Sequence, residues 1–165
     1  MQPKTVEVHL QNGNPHGILK AEMFGRKVGA VLIPRPFVKS AKSVDSLQKC
    51  GVVILIGHIE SLDSPSIRID SAHNCMEKIH AHAGRDGEWQ KVVALIPVVD
   101  NFTMEYANHL KRRCFQRIKE VASAHVEMIE PHQKSDVPDQ VSAEVEDNFE
   151  SVVTLLQILN PRCDL

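Results

Sequence analysis

Five basic side chains crowd one short stretch, Lys111-Arg112-Arg113 with Arg117 and Lys119, and on a helix they fall within about two and a half turns. Ammonium and guanidinium groups held together in this way can grip a polyanion, because phosphate oxygens exchange their counterions for them. The same pattern also describes an ordinary solvated helix face, and base rates favour that reading. Histidines form the second group. His73, His80 and His82 lie close together and, joined by His58 or Asp70, would offer ligands for a metal or groups for a rebuilt catalytic site. Their spacing argues against chelation from one helix, since residues at i and i+2 point about 200° apart. Four cysteines, Cys50, Cys75, Cys114 and Cys163, form no CxxC pair and are expected to be reduced, mostly core thiols. Tyr106 and Trp89 are the only large polar-tipped rings, so no aromatic platform for stacking single-stranded bases is present, and Phe102, Phe115 and Phe149 are expected in the core.

The elements that must position these groups belong to a chain of 165 residues, enough for one compact domain with an appendage. An apolar fraction of 42% and a charged fraction of 24% are those of a globular protein, and no run of eighteen apolar residues offers a membrane span. Met1 to Glu7 lacks the apolar core of a secretory signal, which predicts a cytoplasmic protein with no membrane partner. A formal charge of −2 gives no global attraction to nucleic acid, so any polyanion site must be local.

Thr5 to Leu10 alternates apolar and polar residues, and Gln11-Asn12-Gly13-Asn14-Pro15 supplies turn chemistry, which predicts a hairpin. Two further strands are expected at 17–24 and 27–34, separated by Gly25, making a small N-terminal sheet. Residues 38–49 predict a short, broken helix with Val44 and Leu47 inward and its lysines outward. Val52 to Ile59 is a buried strand. Asp63-Ser64-Pro65-Ser66 turns the chain back to a short strand at Ile67 to Ile69, giving a second hairpin. Ser71 or Asn74 caps a helix to about Ala83, ended by Gly84-Arg85-Asp86-Gly87, and Lys91 to Val98 is the next strand. Thr103 caps the expected longest helix, with Leu110, Cys114, Ile118 and Val121 on its buried face. After a loop over 131–140 comes an amphipathic helix bearing Val145, Phe149, Val152, Val153, Leu156 and Leu159 on one side. The fold class is therefore α/β in the α+β sense, a small antiparallel sheet flanked by helices. It divides into a strand-rich segment 1–49, a domain 50–130, and a loop with a C-terminal helix over 131–165.

Gly51-Val52-Val53-Ile54-Leu55-Ile56-Gly57, then Ser66-Ile67-Arg68-Ile69-Asp70, then a helix ending His80-Ala81-His82, resembles the GIY-YIG nuclease domain. Gly51-Val52-Val53 stands where that family has Gly-Ile-Tyr, and Arg68-Ile69-Asp70 where it has Tyr-Ile-Gly. The likeness is closest to a bacterial subgroup in which a small strand-rich segment precedes the nuclease-like domain. Thr5 to Leu10 with Asn12-Gly13-Asn14-Pro15 is similar to that subgroup's opening, and Asn101-Phe102-Thr103 with His109-Leu110 to the start of its long helix.

The resemblance implies a catalytic set in which a Tyr and an Arg position water and phosphate while a Glu on the long helix holds a divalent cation. Phosphodiester hydrolysis needs this division of labour, because water must lose a proton and the developing oxyanions must be neutralised. Carried onto this chain, the two Tyr positions are Val53 and Arg68, the Arg position is Lys78 and the Glu position is Lys111. No phenol remains, the planar fork that grips phosphate is lost, and the metal-holding carboxylate is reversed in charge. Glu105 and Glu120 point about 120° and 180° away from Lys111 on the same helix and cannot stand in for it. Asp70 is then a counter-charge to Arg68, Lys78 and Lys111.

These residues imply a degenerate member that has kept the fold and lost the cut, with no catalytic residues, no metal and no cofactor. The leading expectation is a DNA- or RNA-backbone or other polyanion site at Arg68, Lys78, Lys111, Arg112 and Arg113. A protein partner or homodimer through Val145, Phe149, Val152 and Leu156 is the alternative, and a residual or rebuilt metal-dependent nuclease stands third.

Overall fold

Both faces of the strand Gly51–Ile59 (β4) are buried: Val52, Ile54 and Ile56 enter one apolar core, Val53 and Leu55 another. A near-continuous apolar run is what a central strand covered on both sides requires. The computed structural model describes residues 3–59, 64–84, 89–100, 102–122, 124–129 and 138–160. Around β4, the strands Val6–Leu10 (β1), Leu19–Met23 (β2), Val28–Pro34 (β3), Ser64–Ala72 (β5), Trp89–Pro97 (β6) and His125–Met128 (β7) make one sheet of seven, in the order β1-β2-β3-β6-β4-β5-β7. Every neighbouring pair is antiparallel except β5 with β7, which is parallel.

Three helices cover the sheet. Met104–Val121 (α2) and Asp139–Leu159 (α3) lie on the first core, to which they contribute Leu110, Cys114 and Ile118, and Val145, Phe149, Val152 and Leu156. On the opposite face Cys75–Ala83 (α1) contributes Cys75, Met76 and Ile79, beside 3-10 turns at Arg35–Phe37, Ser40–Ser43 and Asp45–Gln48. A register shift between Ile56 and Gly57 puts Trp89 on this second face, out of step with the alternation of β6. The architecture is α+β, a mostly antiparallel open sheet with three helices.

Several expectations hold in detail. Asn74 rather than Ser71 caps α1, its Oδ1 accepting from the Glu77 amide at 3.1 Å; Ser71 lies within β5. Thr103 caps α2 by accepting from the Tyr106 amide at 3.3 Å. Asn12, Gly13 and Gly25 take φ of 56°, 67° and 72°, the left-handed conformations that these turns need.

Others are corrected. The small N-terminal sheet and the second hairpin are not separate, because β3 pairs with β6 along its whole length and joins them into one sheet. The broken helix at 38–49 is a set of 3-10 turns, although Leu47 is fully buried as expected. The short strand at 67–69 extends over Ser64–Ala72, held on both sides by β4 and β7. Val121 is 39% exposed, because α2 ends there. The longest helix is α3, with 21 residues against 18 in α2. Strand β7 was not expected at all. The proposed helix terminator at 85–87, most of the 131–140 loop, Asn101 and Cys163 lie outside the described residues. Among those described, no helix is long and apolar enough to cross a membrane.

Candidate functional site

Strand alternation sends Ile67 and Ile69 of β5 into the first core and leaves Arg68 and Asp70 on the α1 face. Asp70 is 3% exposed. A carboxylate buried this far needs compensating partners. On α1, Lys78 and His82 are spaced i, i+4 and so share a side of the helix. Lys78 Nζ lies 3.0 Å from Asp70 Oδ2, and His82 Nε2 lies 3.7 Å from the same oxygen. Burial pushes the Asp70 carboxyl up, but His82, Lys78 and the charge of Lys111 outweigh it and hold the group below its ordinary value.

Lys111 approaches from the other layer. Its side chain, on α2, is 1% exposed, and its Nζ donates to the Ile129 carbonyl at 3.4 Å. The Ile129 amide in turn donates to the Ile69 carbonyl at 2.9 Å, so Lys111 is tied to the end of β7 where β7 leaves the edge of β5. From there its charge reaches Asp70. Arg68 faces Glu127 across the parallel β5–β7 register, Nε to Oε2 3.4 Å. Val53 sits opposite Asp70 in the β4–β5 ladder and is fully buried in the second core.

The structure thus brings Lys78 to the Asp70 carboxylate, on which the charge of Lys111 also acts, and places Arg68 two residues along the same strand face. A cleft of about 360 Å³ beside Lys78 is lined by Ser71, His73, Asn74, Glu77 and Met104; neither Arg68 nor Lys111 lines it. Arg113 belongs to another place, the seam between α2 and α3. There its Nε lies 2.5 Å from Glu146 Oε1 and its guanidinium 4.6 Å over the Phe149 ring. Arg112 is half-buried, and its Nε and Nη2 are out of solvent without a hydrogen-bond partner among the described residues. Burial, with the charges of Arg112 and Arg113 against that of Glu146, holds the nearby His109 ring below its ordinary pKa. Arg117 and Lys119 are exposed, as on a solvated face.

Among the described residues no three His, Cys, Asp or Glu side chains converge to hold a metal ion. Glu105 and Glu120 are both exposed, pointing away from buried Lys111 as their spacing predicts. Burial pushes Cys75 and Cys114 up to about 12 and raises Cys50, so the described thiols are poor nucleophiles near neutral pH.

Of the helical histidines that Asp70 could have joined, His82 is the one beside it. One feature was missed from sequence. On the opposite side of α1 a cleft of about 620 Å³ is lined by Arg35, Val38, Lys39, Lys42, His80 and Ala83, with no acidic side chain in its wall. Arg35 is anchored there, donating to the Trp89 carbonyl at 3.0 Å and lying 4.8 Å over its ring. The one advance signal was the outward direction expected for the lysines of 38–49.

In comparisons with known proteins, no family model, no curated protein and no solved structure matches this chain.

Proposed function

We propose that this chain is a catalytically inactive GIY-YIG-like protein that binds nucleic acid or another polyanion without cleaving it. One observation carries the reading: at the position where the resemblance calls for a metal-holding Glu there is a buried Lys111, and Asp70, the carboxylate on which its charge acts, is engaged by Lys78 at 3.0 Å. A carboxylate already committed to an ammonium group is a poor ligand for a divalent cation, because the two cations compete for the same lone pairs. A surface in which cations replace metal ligands suits a phosphate backbone, contacted by the partly exposed Arg68 and Lys78 on the α1 face. Positioning contacts of this kind carry affinity without sequence information.

Fluorescence anisotropy with short DNA and RNA probes tests the proposal. Binding is expected at low salt and should weaken steeply as salt rises, with a log–log slope of about −2 to −3 if two or three phosphates are neutralised. Arg68→Ala should flatten that slope by about one contact. No measurable affinity at low salt removes the proposal, and so does magnesium-dependent strand scission by pure protein that disappears on altering Arg68, Lys78 or Lys111. The alternative of partner binding through Val145, Phe149, Val152 and Leu156 requires α3 to leave the sheet, since all four side chains are at most 5% exposed.

A further inference from the structure

Among the described residues strand β1 ends the sheet, hydrogen-bonded to β2 alone. The Gln11 amide donates to the Ile18 carbonyl at 2.9 Å, one step beyond the Leu10–Leu19 pair, so Gln11 directs its polar groups toward β2. Antiparallel alternation then turns Glu7 and His9 inward to β2 and leaves the N–H and C=O of Val6, Val8 and Leu10 pointing away from the sheet. An edge of this kind is a template for another strand unless guarded by lysine, proline or a bulge. Val6-Glu7-Val8-His9-Leu10 has none of these guards. On the core face, α3 packs over β2 and β3, and Val8 and Leu10 remain 42% and 44% exposed.

We propose that two copies of this chain pair antiparallel through β1, with Val8 on the two-fold axis, fusing two sheets into one. In this register Val6 meets Leu10 of the second copy, Glu7 meets its His9, and Val8 meets its Val8. The three residues with outward-pointing polar groups face each other, and the apolar side chains share one face. Carboxylate–imidazole pairing selects the register. Sliding by two residues in either direction keeps the faces matched but sets Glu7 against Glu7 or His9 against His9, whereas the Val8-centred pairing sets Glu7 against His9 twice. A one-residue slip turns apolar side chains onto the polar face. The occupant that fits this edge is therefore a second copy of the same strand. Five paired residues per copy make a small interface, at the low end of specific contacts, so the dimer forms with rising concentration and is not permanent.

Sedimentation equilibrium of the full chain from micromolar to millimolar concentration tests this. The expected result is an apparent mass that rises toward twice the monomer value. Val8→Pro removes an outward N–H and leaves the β2 bonds of Glu7 and His9 in place, so it should remain monomeric with an unchanged far-ultraviolet spectrum. Should that variant unfold, Val8→Lys sets two ammonium groups against each other across the axis and should give the same monomer. Oxidised Val8→Cys should form a disulfide dimer, since facing Cα atoms of a hydrogen-bonded antiparallel pair lie about 5.5 Å apart. A monomer at every concentration, or a dimer that survives both Val8→Lys and Val8→Pro, overturns the proposal.

Discussion

The ammonium nitrogen of Lys78 lies 3.0 Å from Oδ2 of Asp70, a side chain only 4% exposed, so an ion pair joins α1 to the interior of β5. Lys78 itself is 30% exposed and can return to water if its partner is lost; Asp70 cannot. That asymmetry makes Asp70 the sensitive member of the pair.

Because its partners hold Asp70 below the ordinary carboxylate value of 3.8, the charged form favours the folded state. Its contribution is complete above that unfolded value and is lost as pH falls through the lower folded one. Asp70→Asn should therefore lower stability by about 1–3 kcal/mol at neutral pH. The gap between variant and wild type should narrow in the acid range, in denaturant titrations run at both conditions. An unchanged gap in acid would show that the charge of Asp70 is not what stabilises the fold.

Two substitutions at Lys111 separate its structural role from the one the proposed resemblance implies. Lys111→Met keeps the length and removes a buried charge, and should change stability by no more than about 1–2 kcal/mol in either direction. Lys111→Glu introduces the acid that the proposed resemblance calls for but sets a carboxylate against the Ile129 carbonyl and toward Asp70. It should cost about 3–5 kcal/mol and yield no cleavage activity. Thermal melts with a plasmid-nicking assay check both, and a stable, cleaving Lys111→Glu protein would sink the argument.

Gly51 opens β4 where a Cβ would lie 2.2 Å from the Leu95 carbonyl oxygen and 2.8 Å from Cys75 Sγ. The first of these is backbone in the adjacent strand and has no side-chain freedom with which to retreat. Gly51→Ala should lower stability by about 3 kcal/mol, the upper end of overpacking costs, visible as a lowered melting midpoint.

Tyr106 is 2% exposed, and its hydroxyl has no hydrogen-bond partner among the described residues. Burial and the nearby Glu144 and Asp147 push its phenol up to about 12. As the chain's single tyrosine, it should show this midpoint directly in an alkaline ultraviolet titration. Tyr106→Phe removes a buried unsatisfied group and should stabilise the protein by about 1 kcal/mol. A destabilised variant would mean that the hydroxyl has a partner in solution.

Periodicity and punctuation made most of the elements legible. Two-residue alternation marked β1, the apolar run marked β4, and Asn74 and Thr103 announced α1 and α2, because strand pleat, helix repeat and capping are all set by residues within a few positions of one another. That position 111, where the proposed resemblance calls for an acid, carries a lysine is also a statement about residue type, visible without coordinates. Strand β7 was not legible, since its alternation runs over only four residues and is ordered by parallel pairing with the distant β5.

From its sequence alone, this protein was bound to contain these helices and most of these strands, and to lack a carboxylate at position 111. Tertiary structure alone decided that β3 joins β6, that the charge of Lys111 acts on Asp70 from the opposite layer, and that Arg113 is spent on Glu146. Each of these links residues far apart in the chain, and whether two side chains of opposite sign meet depends on sheet order and layer, which no local pattern encodes.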